Sequence, residues 1–247
     1  MQVIEQIKLR IYISILNKFK NTRNDFIRNF LVMLLLIYRI IRIYSLKIPF
    51  LCEIFVEKHL RISRKLIEKH KSYILQRVFI DVGAGDGFYS FYFAKRKYIV
   101  ISFEPDIRNF SFIQKMNKIF RLTNIKFFPF AISNRNKSLW LSLSYMPYAN
   151  ISTIEFKRNK CNRVKVKSYT LDKIFRSIRI NPNYPILVNI DVEGAEYKVF
   201  DGAKNFIRKF KSVFVFECQK NLDKIKKRLM KEGYKIYKVD DFNYIAY

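Results

Sequence analysis

The chain has 247 residues, 50% hydrophobic and 17% aromatic, which is enough apolar material for a real core and excludes the disordered class. Its three cysteines (Cys52, Cys161, Cys218) lie far apart, so neither a metal-ligand spacing nor a disulfide framework follows, and a reducing, cytoplasmic setting is the default. The net charge of +28 is spread along the chain, with 15 Lys+Arg against 5 Asp+Glu in residues 1–76 and 33 against 15 in residues 77–247. Two readings of that charge stay open. One is an anionic partner: nucleic acid, a phosphorylated glycan or an anionic membrane surface. The other is a coding bias toward Lys, Ile, Asn, Phe and Tyr.

Residues 1–76 differ from the rest. They hold no glycine and a single proline, Pro49. Ile4, Ile7, Ile11, Ile15 and Phe19 recur at helical spacing with basic residues between them. The apolar run Phe30–Tyr38 is about half of the roughly 20 residues a spanning helix needs, and Arg39 and Arg42 interrupt its continuation. The segment reads as a basic helical extension. It packs on the catalytic domain, forms a dimer contact, or lies on a membrane surface through residues 1–50, which would put the protein at the inner membrane surface.

From Val78 onward strands and helices alternate. The pattern predicts strands at 77–82, 98–103, 125–130, 186–191 and 212–217, and helices at 88–95, 106–120 and 171–179, with another starting near Glu193. Such alternation implies an α/β fold, a mostly parallel sheet with helices on both faces. Residues 139–144 and 164–168 alternate with period two and read as an extra strand pair, an insertion at about 137–168. An amphipathic helix from Leu222 to Leu229 stops at Gly233. Tyr234–Val239 and Asn243–Tyr247 form a closing antiparallel hairpin.

The first strand ends in Asp81-Val-Gly-Ala-Gly-Asp-Gly87, with glycine at 83, 85 and 87. Gly83 and Gly85 allow a tight turn and a close approach of backbone to ligand. The third glycine comes one residue early for the dinucleotide fingerprint, and the leading acid suits a cationic amino-acid ligand better than a pyrophosphate. Glu104, in Phe103-Glu-Pro105, ends the second strand 23 residues after Asp81, close to the spacing of an acid that accepts hydrogen bonds from ribose hydroxyls. Asn189-Ile-Asp-Val-Glu-Gly-Ala-Glu196 puts Asp191 and Glu193 at the end of the fourth strand. Acids in a first helical turn also complement the helix dipole, which explains Glu193 and Glu196 better than Asp191.

Taken in order with Ala131-Ile-Ser133, Thr170-Leu-Asp172 and Phe216-Glu217, these segments resemble the FkbM-type S-adenosylmethionine-dependent methyltransferases over residues 77–247. The resemblance implies a class I methyltransferase (Rossmann-like) sheet and transfer of methyl to a hydroxyl oxygen of a glycan, glycolipid or other small-molecule acceptor. By the same resemblance Asp81, Gly83, Ala84, Gly85 and Gly87 hold the methionine end of the cofactor. Glu104 and Pro105 meet the ribose, and Ala131 and Ile132 border the adenine. Asp191 and Glu193 face the transferring methyl. The family usually carries lysine where Asn189 stands.

A carboxylate can remove the acceptor proton, or Asp191 can hold a divalent cation that acidifies the hydroxyl. No histidine cluster indicates a metal: His59 and His70 both lie in the N-terminal segment. Three alternatives remain: a nicotinamide-dependent oxidoreductase on a related sheet, an RNA methyltransferase, and a non-catalytic membrane-associated protein that keeps the fold. The RNA reading lacks an Asn/Asp-Pro-Pro-Tyr motif.

Overall fold

The structure is a computed structural model. It describes residues 77–143, 153–154, 162–178, 180–184, 186–210, 212–239 and 241–247. The basic extension over 1–76 lies outside the described residues, as do 144–152 and 155–161 of the insertion.

Seven strands form one sheet in the order β3-β2-β1-β7-β8-β10-β9. These are β1 (Val78–Val82), β2 (Ile99–Phe103), β3 (Ile125–Phe128), β7 (Ile186–Ile190), β8 (Val213–Glu217), β9 (Ile236–Lys238) and β10 (Asn243–Ala246). The first five are parallel, and β10 runs antiparallel to β8 and to β9. The predicted α/β class, the core strands and the closing hairpin are therefore present. β1 and β7 are buried throughout, as central strands covered on both faces must be.

Alternation along β1 divides the core. Val78, Ile80 and Val82 face α4 (Glu196–Asp201), α5 (Lys204–Lys209) and α6 (Leu222–Lys231) through Val199, Phe200, Phe206, Ile207, Ile225 and Leu229. Phe79 faces α1 (Phe88–Lys95) and α2 (Ile107–Phe120), and stacks on Phe93 at 4.0 Å between centroids. Each such buried phenylalanine contributes about 1.5–3 kcal/mol.

The chain departs from its predicted elements where a local residue overrides the pattern. The third strand stops at Phe128, because Pro129 cannot donate to the ladder. Beyond it, β4 (Ala131–Ile132) leaves the main sheet and pairs in parallel with β6 (Arg163–Tyr169). β6 in turn pairs antiparallel with β5 (Ser138–Ser142). The helix expected near Glu193 starts at Glu196, and α3 (Leu171–Ser177) ends before 179. The short α5 carried no clear signal of its own. It is separated from α4 at Gly202, where a Cβ would sit 2.2 Å from the Ser133 carbonyl oxygen.

Strand order reverses between β1 and β7, so their carboxyl ends open the crevice where ligands of such sheets bind. Gly83 has φ +87, and a Cβ there would lie 1.9 Å from the Asp191 carbonyl oxygen. The glycine is needed where two strand-end loops press together, before any ligand is considered. Gly83→Ala is expected to cost about 2–5 kcal/mol through left-handed strain and overpacking, and to unfold much of the protein in thermal scans. A melting temperature within a degree or two of wild type would contradict that contact.

Candidate functional site

Each of the four adjacent parallel strands at the crevice delivers a carboxylate to its carboxyl end: Asp81 on β1, Glu104 after β2, Asp191 after β7 and Glu217 closing β8. Glu217 was read only as part of a motif, and its place beside the others is a product of strand order.

Asp81 is buried, and both of its oxygens are engaged inside the protein. Oδ2 accepts from Ser90 Oγ at 2.6 Å, and Oδ1 accepts from Asn189 Nδ2 at 3.0 Å. Desolvation lifts its pKa to about 6 against the lowering effect of those two bonds. Asn189 is thus the cross-strand partner of Asp81, and it is a neutral one. Its amide reaches Asp81 from 108 residues away along the chain, which no local pattern could reveal.

The glycine turn is held by its neighbours. The Gly83 and Ala84 amides both donate to the Phe103 carbonyl at 3.0 Å, and the Gly87 amide donates to the Ala84 carbonyl at 2.8 Å. The Gly85 amide donates to Glu104 Oε2 at 2.7 Å, while the Asp106 amide donates to Oε1 at 2.8 Å. Glu104 is buried, and its pKa rises to about 8, chiefly from desolvation. Each of its oxygens keeps acceptor capacity beyond one backbone bond. Pro105, half-buried, follows, and Asp106 then caps α2 through the Arg108 amide. Ala131 and Ile132 are buried in β4.

The acid loop 191–195 is clamped at three points. The Asp191 amide donates to the Val82 carbonyl at 3.0 Å. The Thr153 hydroxyl donates to the Glu193 carbonyl at 2.8 Å. Buried Glu196 accepts from the Gly194 amide at 2.8 Å through Oε1. Glu193 has φ +56, a left-handed conformation that is uncommon outside glycine and marks a constrained position.

Asp191 presents exposed surface to the crevice but is surrounded by protein on its other sides. Desolvation, then the nearby charges of Glu193, Glu217, Glu196 and Asp81, hold its carboxyl well above the usual range. Cys218, just after β8, is buried with its thiol pushed up to about 11 by burial, so it is not a nucleophile at neutral pH.

Folded pKa values above the unfolded ones make stability greatest at low pH. For Asp81 and Glu104 this contribution is complete below their ordinary values and is lost as pH rises through about 6 and about 8. The melting temperature of the ligand-free protein is therefore expected to fall between pH 5 and pH 8, by the equivalent of several kcal/mol, with about one pKa unit from Asp81 and about three from Glu104 at ~1.4 kcal/mol each. A flat or rising profile in differential scanning calorimetry would contradict it.

The donor set suits an adenosine ligand that carries a positive charge. Glu104 offers acceptors for two vicinal hydroxyls, and the surrounding acids favour a cation in an otherwise basic chain. Among the described residues no group of three or more His, Cys, Asp or Glu has the arrangement of a metal site. Nor is any described helix long and apolar enough to cross a membrane.

The sheet order, the glycine turn and the strand-end acids define a Rossmann-like S-adenosylmethionine-dependent methyltransferase fold. The family model described as the Methyltransferase FkbM domain matches residues 81–243, well over half of the chain, and the chain belongs to that family. The matched stretch contains every candidate residue named above. Among solved structures, the chain is similar to the FkbM methyltransferase of Methylobacillus flagellatus, with 17% identity and TM-score 0.49 over 70% of this chain and 44% of that one. It thus spans less than half of that relative. A magnesium protoporphyrin IX methyltransferase from Synechocystis with bound cofactor is similar at 10% identity and TM-score 0.43, over 76% of this chain and 77% of the other. A methyltransferase from Aquifex aeolicus is similar at 13% identity and TM-score 0.39, over 78% and 91%. A search of curated proteins finds no match.

Proposed function

We propose that this protein transfers a methyl group from S-adenosylmethionine to a hydroxyl oxygen of a glycan, glycolipid or other small-molecule acceptor. The observation that carries the reading is the row of carboxylates at the ends of β1, β2, β7 and β8, on either side of the strand switch point. When bound, S-adenosylmethionine supplies an electrophilic methyl on a sulfonium.

The chain's own residues supply position and proton removal. Glu104 accepts hydrogen bonds from the ribose hydroxyls, with Pro105 shaping the turn that follows. Gly83, Ala84, Gly85 and Gly87 shape the turn against the methionine end. Asp81 acts there mainly as a brace between β1, α1 and β7. Ala131 and Ile132 line the adenine side. Asp191 or Glu193 takes the acceptor proton as the oxygen attacks in line. Desolvation and the neighbouring acids raise the pKa of Asp191, which strengthens its carboxylate as a proton acceptor.

The test is transfer of labelled methyl from S-adenosylmethionine to host extract separated into glycolipid, polysaccharide, RNA, protein and small-molecule fractions. Label in the glycolipid, polysaccharide or small-molecule fraction supports the reading. Label confined to RNA overturns it.

A further inference from the structure

The β5–β6 hairpin has two unlike faces. Leu139, Leu141, Val164 and Val166 point one way, and Leu141 is fully buried. On the other face Trp140 stands opposite Lys165 in the antiparallel register, with Ser138 opposite Lys167 and Ser142 opposite Arg163. Arg163, Lys165 and Lys167 are all exposed. Trp140 exposes 52% of its surface, and the Arg163 guanidinium lies 5.3 Å from its ring centroid. No Asp or Glu occurs in 131–143 or 162–169. Among the described residues, this face carries a solvent-facing indole, three cations and no acid.

We infer that this face binds a phosphate-bearing sugar chain, the part of the acceptor that flanks the methylated hydroxyl. This inference rests on the glycan reading above. Three cations at alternate positions of one strand stand roughly 6.6 Å apart, so the face is about 13 Å long, the scale of a short oligosaccharide. Arginine and lysine supply charge-assisted donors for phosphate oxygens. One indole face covers the apolar side of one sugar ring.

Single-stranded RNA fits less well, because sheet readers of RNA stack successive bases on two or three aromatic rings. This face has one. A membrane fits less well, because interfacial anchoring needs apolar area around the aromatic residue. Here, among the described residues, the strand neighbours on the same face are exposed Ser138 and buried Ser142.

The hairpin is also tied to the acid loop. Ser142 and Thr153 exchange backbone hydrogen bonds of 2.8 and 3.1 Å, and the Thr153 hydroxyl holds the Glu193 carbonyl. The strand that carries Trp140 therefore leads, two residues on, to the loop that bears Asp191 and Glu193.

Trp140 is the chain's only tryptophan, so its emission reports this face alone. The full-length protein is titrated with a monophosphorylated mannose pentasaccharide, the same pentasaccharide without phosphate, oligouridylate, and pure phosphatidylserine vesicles. The phosphorylated sugar is expected to change Trp140 emission and to bind at least about tenfold more tightly than the neutral one, with affinity falling as salt rises. A Lys165→Ser/Lys167→Ser double variant is expected to lose about tenfold in that affinity while S-adenosylhomocysteine binding, measured by calorimetry, stays unchanged. Equal binding of the neutral sugar overturns the inference. So does tighter binding of oligouridylate or vesicles, or an unaffected double variant. Failure here leaves labelled-methyl transfer intact, whereas failure of the methyl-transfer reading abolishes transfer and leaves the Trp140 response in place.

Discussion

Glu104→Gln is expected to raise the dissociation constant for S-adenosylhomocysteine by between about tenfold and a thousandfold, since charge-assisted hydrogen bonds contribute about 1.5–3 kcal/mol each. The amide also cannot accept from the Gly85 and Asp106 amides together, so the turn loses one of its two anchors. The wild-type carboxyl carries an accompanying signature in pH. Its pKa of about 8 means that the ligand-free protein holds a proton on Glu104 at neutral pH. Hydroxyl donors favour the ionised form, so binding releases that proton, and affinity rises with pH by up to about tenfold per unit until about pH 8. Calorimetry in two buffers of different ionisation enthalpy counts the proton. Binding by the wild type without proton release, or a variant of unchanged affinity, would remove Glu104 from the ribose.

Asp191→Asn and Glu193→Gln are expected to separate binding from chemistry. Both replacements keep size and remove a carboxylate. The one that removes the proton acceptor is expected to lower kcat by about 10²–10⁴, with S-adenosylhomocysteine affinity within a few-fold of wild type. The surviving activity should rise with pH, as the acceptor hydroxyl itself ionises. If both variants bind cofactor and turn over at the wild-type rate, neither residue is the base. The Glu193 replacement tests the side chain alone, because the Thr153 contact is to the backbone carbonyl.

Much of the fold was legible because the core strands are short apolar runs, each closed by a residue that breaks β structure. Val78-Phe-Ile runs into the glycine turn, and Phe103 runs into Glu104-Pro105. The misreadings have equally local causes. Pro129 ended a strand that the apolar pattern extended to 130, and a left-handed Glu193 delayed the next helix to Glu196. The candidate site residues were named from the sequence, but the partners that hold them in place were not. Asp81 and Gly83 stood out as a ligand contact and a ligand-clearing glycine. In the fold, Asp81 is satisfied by Ser90 and Asn189, and Gly83 is shaped by the Asp191 carbonyl. These partners lie on other strands and helices, so periodicity along one segment carries no trace of them. Glu217 and Thr153 went unnoticed as site residues for the same reason.

The contact between Gly83 and the Asp191 carbonyl has a consequence for anyone re-engineering the protein. Two backbones touching that closely leave no room for an insertion after β1 or at the start of the loop after β7, so the lengths of those segments are set by the scaffold. The β5–β6 hairpin touches the acid loop through one threonine hydroxyl and joins β4 by a two-residue ladder. On the acceptor role proposed for this hairpin, the unit to exchange between relatives runs from residue 134 to residue 168. Among the described residues, the junctions to preserve are the Thr153 contact with the Glu193 carbonyl, the pairing of Ala131 and Ile132 with β6, and the hydrogen bonds of Asn134 with Asp201 and of Asn136 with the Thr170 amide.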